Sequence, residues 1–482
     1  MTEPRVRTIL PGSFDPEQHY YPRVLNAQLH PVVRSLLTLG NERIARRYCH
    51  LHPEVDPAAV RAAFDGVPKQ FRWGGADLFH VTDERGRRRM IVIETNSSPS
   101  GQKSTPFSVD GHEQGGYRLL LERTFLPMLK RRALPAGGLA VLYDKNEMEA
   151  SGYAACLADL TEQPVWLAPM HDGDPDPVAK VDDRGIVHVR VDGDWEPVRA
   201  AVRYVTQRPW ARIPPVTRTA LMNPIIGCLA GGRNKLIAAH AYDLYNAELA
   251  GTGLAIRTPE TVRDVALVEV PLHVERMGGI AVVKNPYSNA GQGVWTITHP
   301  SELEAFMELD HRYDRFVVQG LVGNAGWSSR TALGRLYHVG TVPDRNHHIY
   351  AADLRFMVGA SPAGYFPVAV YARRAPEPLA EAVDGKMDSW SMLGTNLSAK
   401  LVDGQWTTDT RRLLLMDPRD FNRLGLGLDD LVEAYVQTVL AMGAIDRMAT
   451  RLITSKGVFR RKLYHALDRD PVLLDEISTL PR

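Results

Sequence analysis

The residues best suited to chemistry stand in Met90-Ile-Val-Ile-Glu-Thr-Asn-Ser-Ser-Pro-Ser-Gly101. Four unbroken apolar residues read as a short buried strand that runs straight into Glu94 and Asn96. Strand alternation puts these two oxygen donors on one face. A carboxylate and an amide oxygen side by side suit a hard cation such as Mg²⁺. The polar run 97–101 then ends the strand in a loop rich in hydroxyls. Upstream, Ala76-Asp-Leu-Phe-His-Val-Thr82 alternates and Asp83-Glu-Arg-Gly86 is a turn, so the two strands form a hairpin. Asp77 enters that hairpin where Glu94 and Asn96 leave it, which brings three oxygen ligands together.

A second group carries positive charge. In Gly279-Ile-Ala-Val-Val-Lys-Asn-Pro-Tyr-Ser-Asn-Ala-Gly-Gln-Gly-Val-Trp-Thr-Ile297 a buried strand delivers Lys284. A loop of small and polar residues (Ser288, Asn289, Gly291, Gln292, Gly293) follows, and a strand resumes at Val294. Glycine permits close approach, so the amides of this loop can fold over phosphates. A plain flexible β-turn is the other reading. The strand over 353–358 carries Asp353 and Arg355 on one face, and a strand over 366–372 ends in Arg373-Arg374. Asn396, Ser398 and Lys400 share one loop. Cations at strand ends suit a triphosphate and an oxyanion.

These residues need elements to hold them. Residues 16–64 have a helical pattern, with Asp56 as an N-cap before Pro57, and Tyr20 and Tyr21 are assigned to the core. Helices also fit 114–131, 147–160 and the stretch from Gly231 to His240. Strands over 139–143 and 165–168 flank the helix of 147–160 in a βαβ rhythm, and 186–191 and 198–205 add further strands. No dinucleotide glycine fingerprint follows the first of these strands. Thr258-Pro-Glu-Thr-Val262 reads as a turn before a short helix, and 315–322 as a strand. From Asp429 onward the pattern is helical, with Leu431, Ala434, Tyr435, Thr438, Val439 and Met442 as its stripe.

The bulk properties exclude other classes. A chain of 482 residues implies two to four structural units, and 57 basic against 56 acidic residues give no case for a nucleic-acid or membrane-surface protein. Three scattered cysteines fit reduced thiols rather than a disulfide framework or a zinc site. Neither a signal peptide nor a membrane span is evident, so the expectation is a cytoplasmic protein.

Together these motifs resemble the ATP-grasp superfamily, ATP-dependent ligases that join a carboxylate to an amine. Lys235 and Lys284 match the family's two lysines. Gln319, Gly320, Leu321 and Val322 match the strand that reaches the adenine pocket, although a Glu is usual where Gln319 stands. Asp353 and Arg355 match the Asp-x-Arg strand, Arg373 or Arg374 the later arginine, and Asn396 to Lys400 the basic loop. Most members place a metal Asp and a Glu-x-Asn strand near the C-terminal end, yet Asp417 and Asp420 lack a following Glu-x-Asn. Asp77 with Glu94-Thr-Asn96 supplies that motif near the N-terminus, an order that resembles the circularly permuted ATP-grasp ligases.

The resemblance implies an α/β (α+β) architecture. Its expected units are N-terminal helices with the permuted metal-binding part over 1–135, a pre-ATP-grasp α/β domain over 136–230, ATP-grasp subdomains over 231–320 and 321–425, and C-terminal helices over 426–482. It implies ATP and Mg²⁺, two ions in all, as cofactors, with Asp77, Glu94 and Asn96 as metal ligands. Lys235, Lys284 and the glycine-rich hairpin would hold the phosphates. Arg355, Arg373, Asn396 and Lys400 would be catalytic. Ser98, Ser100 and Gln102 are candidate substrate contacts, with loop capping as their plainer role. The implied reaction forms an amide through an acyl phosphate, from small-molecule or peptide carboxylate and amine substrates, with no nucleic-acid or membrane partner. A phosphotransferase on the same fold is the alternative, and a homodimer is only the general expectation for a soluble enzyme.

Overall fold

The computed structural model describes residues 5–107, 113–130, 133–287, 293–383, 388–400 and 406–478. The α/β class expected from the sequence is the class observed: helices accompany sheets of seven, six, four and two strands. Among the described residues, no helix is long and apolar enough to cross a membrane.

The expected hairpin pairs β1 (Trp73–Asp83) with β2 (Arg88–Ser97). Its register sets Asp77 opposite Glu94 and Gly75 opposite Asn96, with a bulge beside Asp77 that absorbs Ile93. Before the hairpin, the helical pattern is cut into short pieces. Proline starts Pro16–His19, Pro22–Leu25, Pro31–Leu39 and Pro57–Asp65, and Gly40 at φ +79° separates Pro31–Leu39 from Asn41–Leu51. Asp56 caps the last of these, its carboxylate accepting from the Ala58 N–H at 2.8 Å.

The βαβ rhythm is present as β3 (Gly138–Tyr143), α1 (Glu147–Thr161) and β4 (Val165–Pro169). β4 lies parallel to β3 on one side, and β5 (Asp194–Tyr204) lies parallel to β3 on the other. The chain therefore leaves β3 toward one neighbour and returns beside the opposite one, which opens a crevice at the carboxyl ends of β3 and β5.

Next comes α2 (Lys235–Glu248), capped by Asn234, whose side chain accepts from the Leu236 and Ile237 N–H groups. The four-stranded sheet contains β6 (Thr261–Ala266), β7 (Ala281–Lys284), β8 (Val294–Ile297) and β9 (Arg315–Gln319), ordered β6-β9-β7-β8. The turn expected at 258–262 is thus partly a strand. Pro259 and a bulge between Val262 and Val265, where Asp264 takes φ +57°, break the alternation by which it would be recognised.

β10 (Ala352–Ser361) and β11 (Gly364–Arg374) pair antiparallel, and β10 also pairs with β1. The N-terminal hairpin therefore lies inside a six-stranded sheet whose other strands come from residues after 335. Helix α3 (Leu428–Arg451) packs across this sheet and α2, with the whole expected apolar stripe buried. Its Asp446 accepts from the Gln70 and Phe71 N–H groups, and its Glu433 from Met90 N–H, so the helix also grips the hairpin by its backbone.

Candidate functional site

Register across the six-stranded sheet builds the centre of the site. Glu94, Asp77, Arg355 and Tyr371 are successive cross-strand partners on β2, β1, β10 and β11. Arg355 grips Asp77 through two bonds, Nε to Oδ1 at 2.6 Å and Nη2 to Oδ2 at 2.7 Å. Arg373 reaches Asp77 Oδ2 at 3.0 Å and bonds Asp353 Oδ1 through Nε at 2.9 Å. Burial alone would raise the Asp77 carboxyl, but the Arg355 and Arg373 charges hold it well below the usual carboxylate range. Arg373 is the arginine of this site, since Arg374 instead lies over the Tyr350 ring at 4.5 Å.

These residues line one cavity of about 810 Å³ together with Lys235, Lys284, Gly293, Gln319, Gly320, Leu321, Val322 and Asn396. Lys284 Nζ donates to Gln319 Oε1 at 2.6 Å, and Gln319 Nε2 donates to Thr261 Oγ1 at 2.8 Å. The side chain that stands where a Glu is usual therefore still orients the lysine. Lys235 Nζ is 3.8 Å from Glu94 Oε1, and the Lys235 N–H donates to the Pro286 carbonyl at 2.8 Å, which ties the start of α2 to the segment after Lys284. Burial pushes Lys284 down to about 8, helped by the Lys235 charge, and also lowers Lys235. The apolar side chains of Phe79, Ile93, Pro259, Val282, Leu321, Val322 and Leu393 line the same cavity, in the manner of a wall for a flat heterocycle.

The three expected metal ligands are adjacent. Among the described residues the Glu94 carboxylate accepts no hydrogen bond, Asn96 Oδ1 accepts one bond from Arg233 Nη1 at 3.1 Å, and Asn96 Nδ2 donates to Asp77 Oδ2 at 3.3 Å. Asp77 Oδ1, among the described residues, accepts from Arg355 Nε alone. Glu94, Asn96 Oδ1 and Asp77 Oδ1 thus keep a lone pair each among the described residues, while Asp77 Oδ2 is occupied by Arg355, Arg373 and Asn96, so two carboxylates and an amide fit a hard divalent cation in donor type. Among the described residues, no cluster of three or more His, Cys, Asp or Glu is placed to hold a metal.

The loop after Asn96 is held by buried polar groups rather than left open. Ser98 lines the cavity but its hydroxyl donates to the Arg203 carbonyl at 2.9 Å. Ser100 also lines it, with Oγ donating to Glu149 Oε2 at 2.7 Å. Gln102 does not line the cavity. Its N–H donates to Glu149 Oε1 at 3.0 Å, and its side chain lies under Gly116, so it is a structural residue and not a substrate contact. At Gly101 a Cβ would stand 2.7 Å from Met357 Cε and the Tyr371 ring, which is why the loop needs glycine there. Ser288, Asn289, Gly291 and Gln292 lie outside the described residues, as does the side chain of Lys400; the Lys400 backbone ends the strand Ser398–Lys400.

Several lining residues escaped the sequence reading. Arg233 clamps the hairpin end, donating to Asn96 Oδ1 and to the Ser97 carbonyl at 2.8 Å through Nη2. Tyr371 accepts from Arg355 Nη1 at 3.2 Å and donates to the Ser100 carbonyl at 3.1 Å. Tyr21, assigned to the core, lines the cavity, whereas Tyr20 is buried. Lys103 and Lys145 line it as well. The proximity of Arg233 to a Gly-Gly pair was the only available signal for these, and lone basic residues in loops carry none. Nine Lys and Arg residues face three carboxylates in this lining, in a chain of net charge +1, so positive charge is concentrated at the cavity.

No family model matches the chain, and no curated protein matches it. It is similar to solved structures. One is a RimK domain protein ATP-grasp from Sphaerobacter thermophilus, with 14% identity over 48% of this chain and 90% of that one, at a TM-score of 0.28. Another is a glutathione synthetase-like effector from Globodera pallida, with 10% identity, 78% and 88% coverage, and a TM-score of 0.38. A third is D-alanyl-alanine synthetase A from Vibrio cholerae, with 13% identity, 64% and 99% coverage, and a TM-score of 0.28. At such scores these likenesses carry no further argument, and the site stands on its own geometry.

Proposed function

We propose that the chain is an ATP-dependent carboxylate–amine ligase of ATP-grasp type in which the metal-binding hairpin precedes the phosphate-binding half. One observation carries this reading: Asp77, Glu94 and Asn96 line the same cavity as Lys235, Lys284, Arg355 and Arg373, although the two groups lie far apart in the chain.

In this reading the nucleobase lies against the apolar wall beside Leu321 and Val322. Lys235 and Lys284 hold the α- and β-phosphates, and Mg²⁺, held by Glu94, Asn96 and Asp77, neutralises phosphate charge when bound. A carboxylate oxygen of the first substrate attacks the γ-phosphorus, giving an acyl phosphate and ADP. The amine nitrogen of the second attacks the acyl carbon, phosphate leaves, and the amide remains after loss of a proton. Arg355 and Arg373 face the transferring group, where their charge stabilises first the phosphoryl oxygens and then the tetrahedral oxyanion. No protein nucleophile is required.

The test is ATP turnover with pooled carboxylic acids, amino acids and polyamines, with hydroxylamine added to trap acyl phosphate as a hydroxamate. Acid-dependent ADP release with hydroxamate formation is expected. A phosphorylated product with neither amide nor hydroxamate would instead identify a phosphotransferase.

A further inference from the structure

The cations of the cavity differ in one respect. Arg355 and Arg373 face Asp77 and Asp353, Lys235 lies near Glu94, Lys284 is held by Gln319, Arg233 by Asn96 Oδ1 and the Ser97 carbonyl, and Arg208 and Arg312 both pair with Glu476. Lys103 and Lys145 remain. Both line the cavity, and neither has an ion pair or a side-chain hydrogen bond among the described residues. Lys103 is only 8% exposed, with its ammonium 5.2 Å from the centre of the Tyr21 ring.

The segments that carry the two are fastened to each other. Lys145 follows β3 by two residues and precedes α1 by two, with Asn146 between. The third residue of α1, Glu149, accepts from the Gly101 and Gln102 N–H groups, so the turn Gln102–Ser104 that carries Lys103 is fastened to the first turn of that helix. This corner is the crevice at the carboxyl ends of β3 and β5, the position where open α/β sheets receive ligands. It adjoins the reaction centre through Ser100, whose carbonyl accepts from Tyr371, the partner of Arg355.

Lys103 is buried and Lys145 half-buried, and two partly desolvated ammoniums without a carboxylate partner among the described residues, lining one cavity, are complementary to an anion. Burial also pushes Lys145 down to about 7, with the Arg233 charge adding to the effect. We propose that Lys103 and Lys145 hold a carboxylate that the reaction leaves intact, carried either by a dicarboxylic acyl donor or by an amino-acid acceptor. This inference rests on the ligase reading.

The test compares matched probes in the full-length protein with ATP and Mg²⁺. One arm sets succinate and glutarate against butyrate and valerate with hydroxylamine as acceptor. The other sets amino acids against the amines formed by removing their carboxylate, with a pool of acids as donors. In one arm the carboxylate-bearing probe is expected to lead in kcat/KM by about tenfold or more, equivalent to about 1.4 kcal/mol. The lead falls below about threefold in Lys103→Met and Lys145→Met, and Lys145→Arg keeps it. Melting curves like the wild type's confirm that the variants fold. Equal rates for matched probes in both arms, or an undiminished lead in both Met variants, would overturn the inference while leaving the ligase reading intact. Absence of ADP release with every acid would overturn both.

Discussion

Asp77 and Arg355 are direct cross-strand partners joined by two hydrogen bonds, although 278 positions separate them in the chain. The ion pair can form only when the N-terminal hairpin takes its place beside β10. Both side chains are nearly buried, and Arg373 shares the same carboxylate. Removing the carboxylate alone strands the Arg355 guanidinium and leaves Arg373 with Asp353 only. Asp77→Asn should therefore lose about 3–5 kcal/mol of stability, the cost of breaking a buried pair from one side. Urea unfolding followed by circular dichroism measures it. A loss below about 1 kcal/mol would mean that the arginines find water or another acceptor.

Tyr371 links Arg355 to the Ser100 carbonyl. Tyr371→Phe should lose about 0.5–1.5 kcal/mol of stability, the net worth of a hydrogen bond. It should also reduce kcat/KM for the acid substrate while leaving the KM for ATP unchanged, since Tyr371 reaches the loop rather than the phosphate lysines. An equal loss in both parameters would contradict that placement.

Much of this arrangement was legible in the sequence, and the reasons differ by residue. Alternation alone put Glu94 and Asn96 on one face, and the turn at 83–86 set Asp77 opposite them. Lys284 was visible because an apolar strand ends on it before a glycine loop. The same alternation chooses Arg373 over Arg374, since Tyr371 and Arg373 oppose Arg355 and Asp353. Arg233, Lys103 and Lys145 could not be found this way. They sit in turns without periodicity, and their neighbours are set by tertiary packing. The strand Thr261–Ala266 was hidden by its own bulge.

Lys284 offers a pH test. Burial lowers it to about 8, so the free site carries this charge below that pH and loses it above. Phosphate oxygens favour the protonated form. ATP affinity should be flat with respect to this group below pH 8 and weaken by up to about tenfold per unit above it. Titration calorimetry across pH 6.5–9.5 (roughly the range where a lysine so shifted changes charge) detects the break. Lys284→Arg should abolish it, because arginine stays charged throughout. A break of the same size in that variant would assign the titration to another group.

Glu149 is fully buried and accepts from Ser100 Oγ and from the Gly101 and Gln102 N–H groups. Glu149→Ala leaves those donors unmatched, and a loss of at least about 1–3 kcal/mol is expected. The loop carrying Ser100 and Lys103 should also exchange its amide hydrogens faster. Unchanged exchange at 100–104 would show that water replaces the carboxylate.

The central claim is that the hairpin carrying Glu94 and the strand carrying Lys284 form one ATP site. It is tested most directly by ADP release in Glu94→Ala and Lys284→Ala, measured in proteins whose melting curves match the wild type. Removing either charge should abolish ATP turnover, because one lies in the metal half and the other in the phosphate half of the same cavity. Undiminished ADP release in both variants would contradict the account.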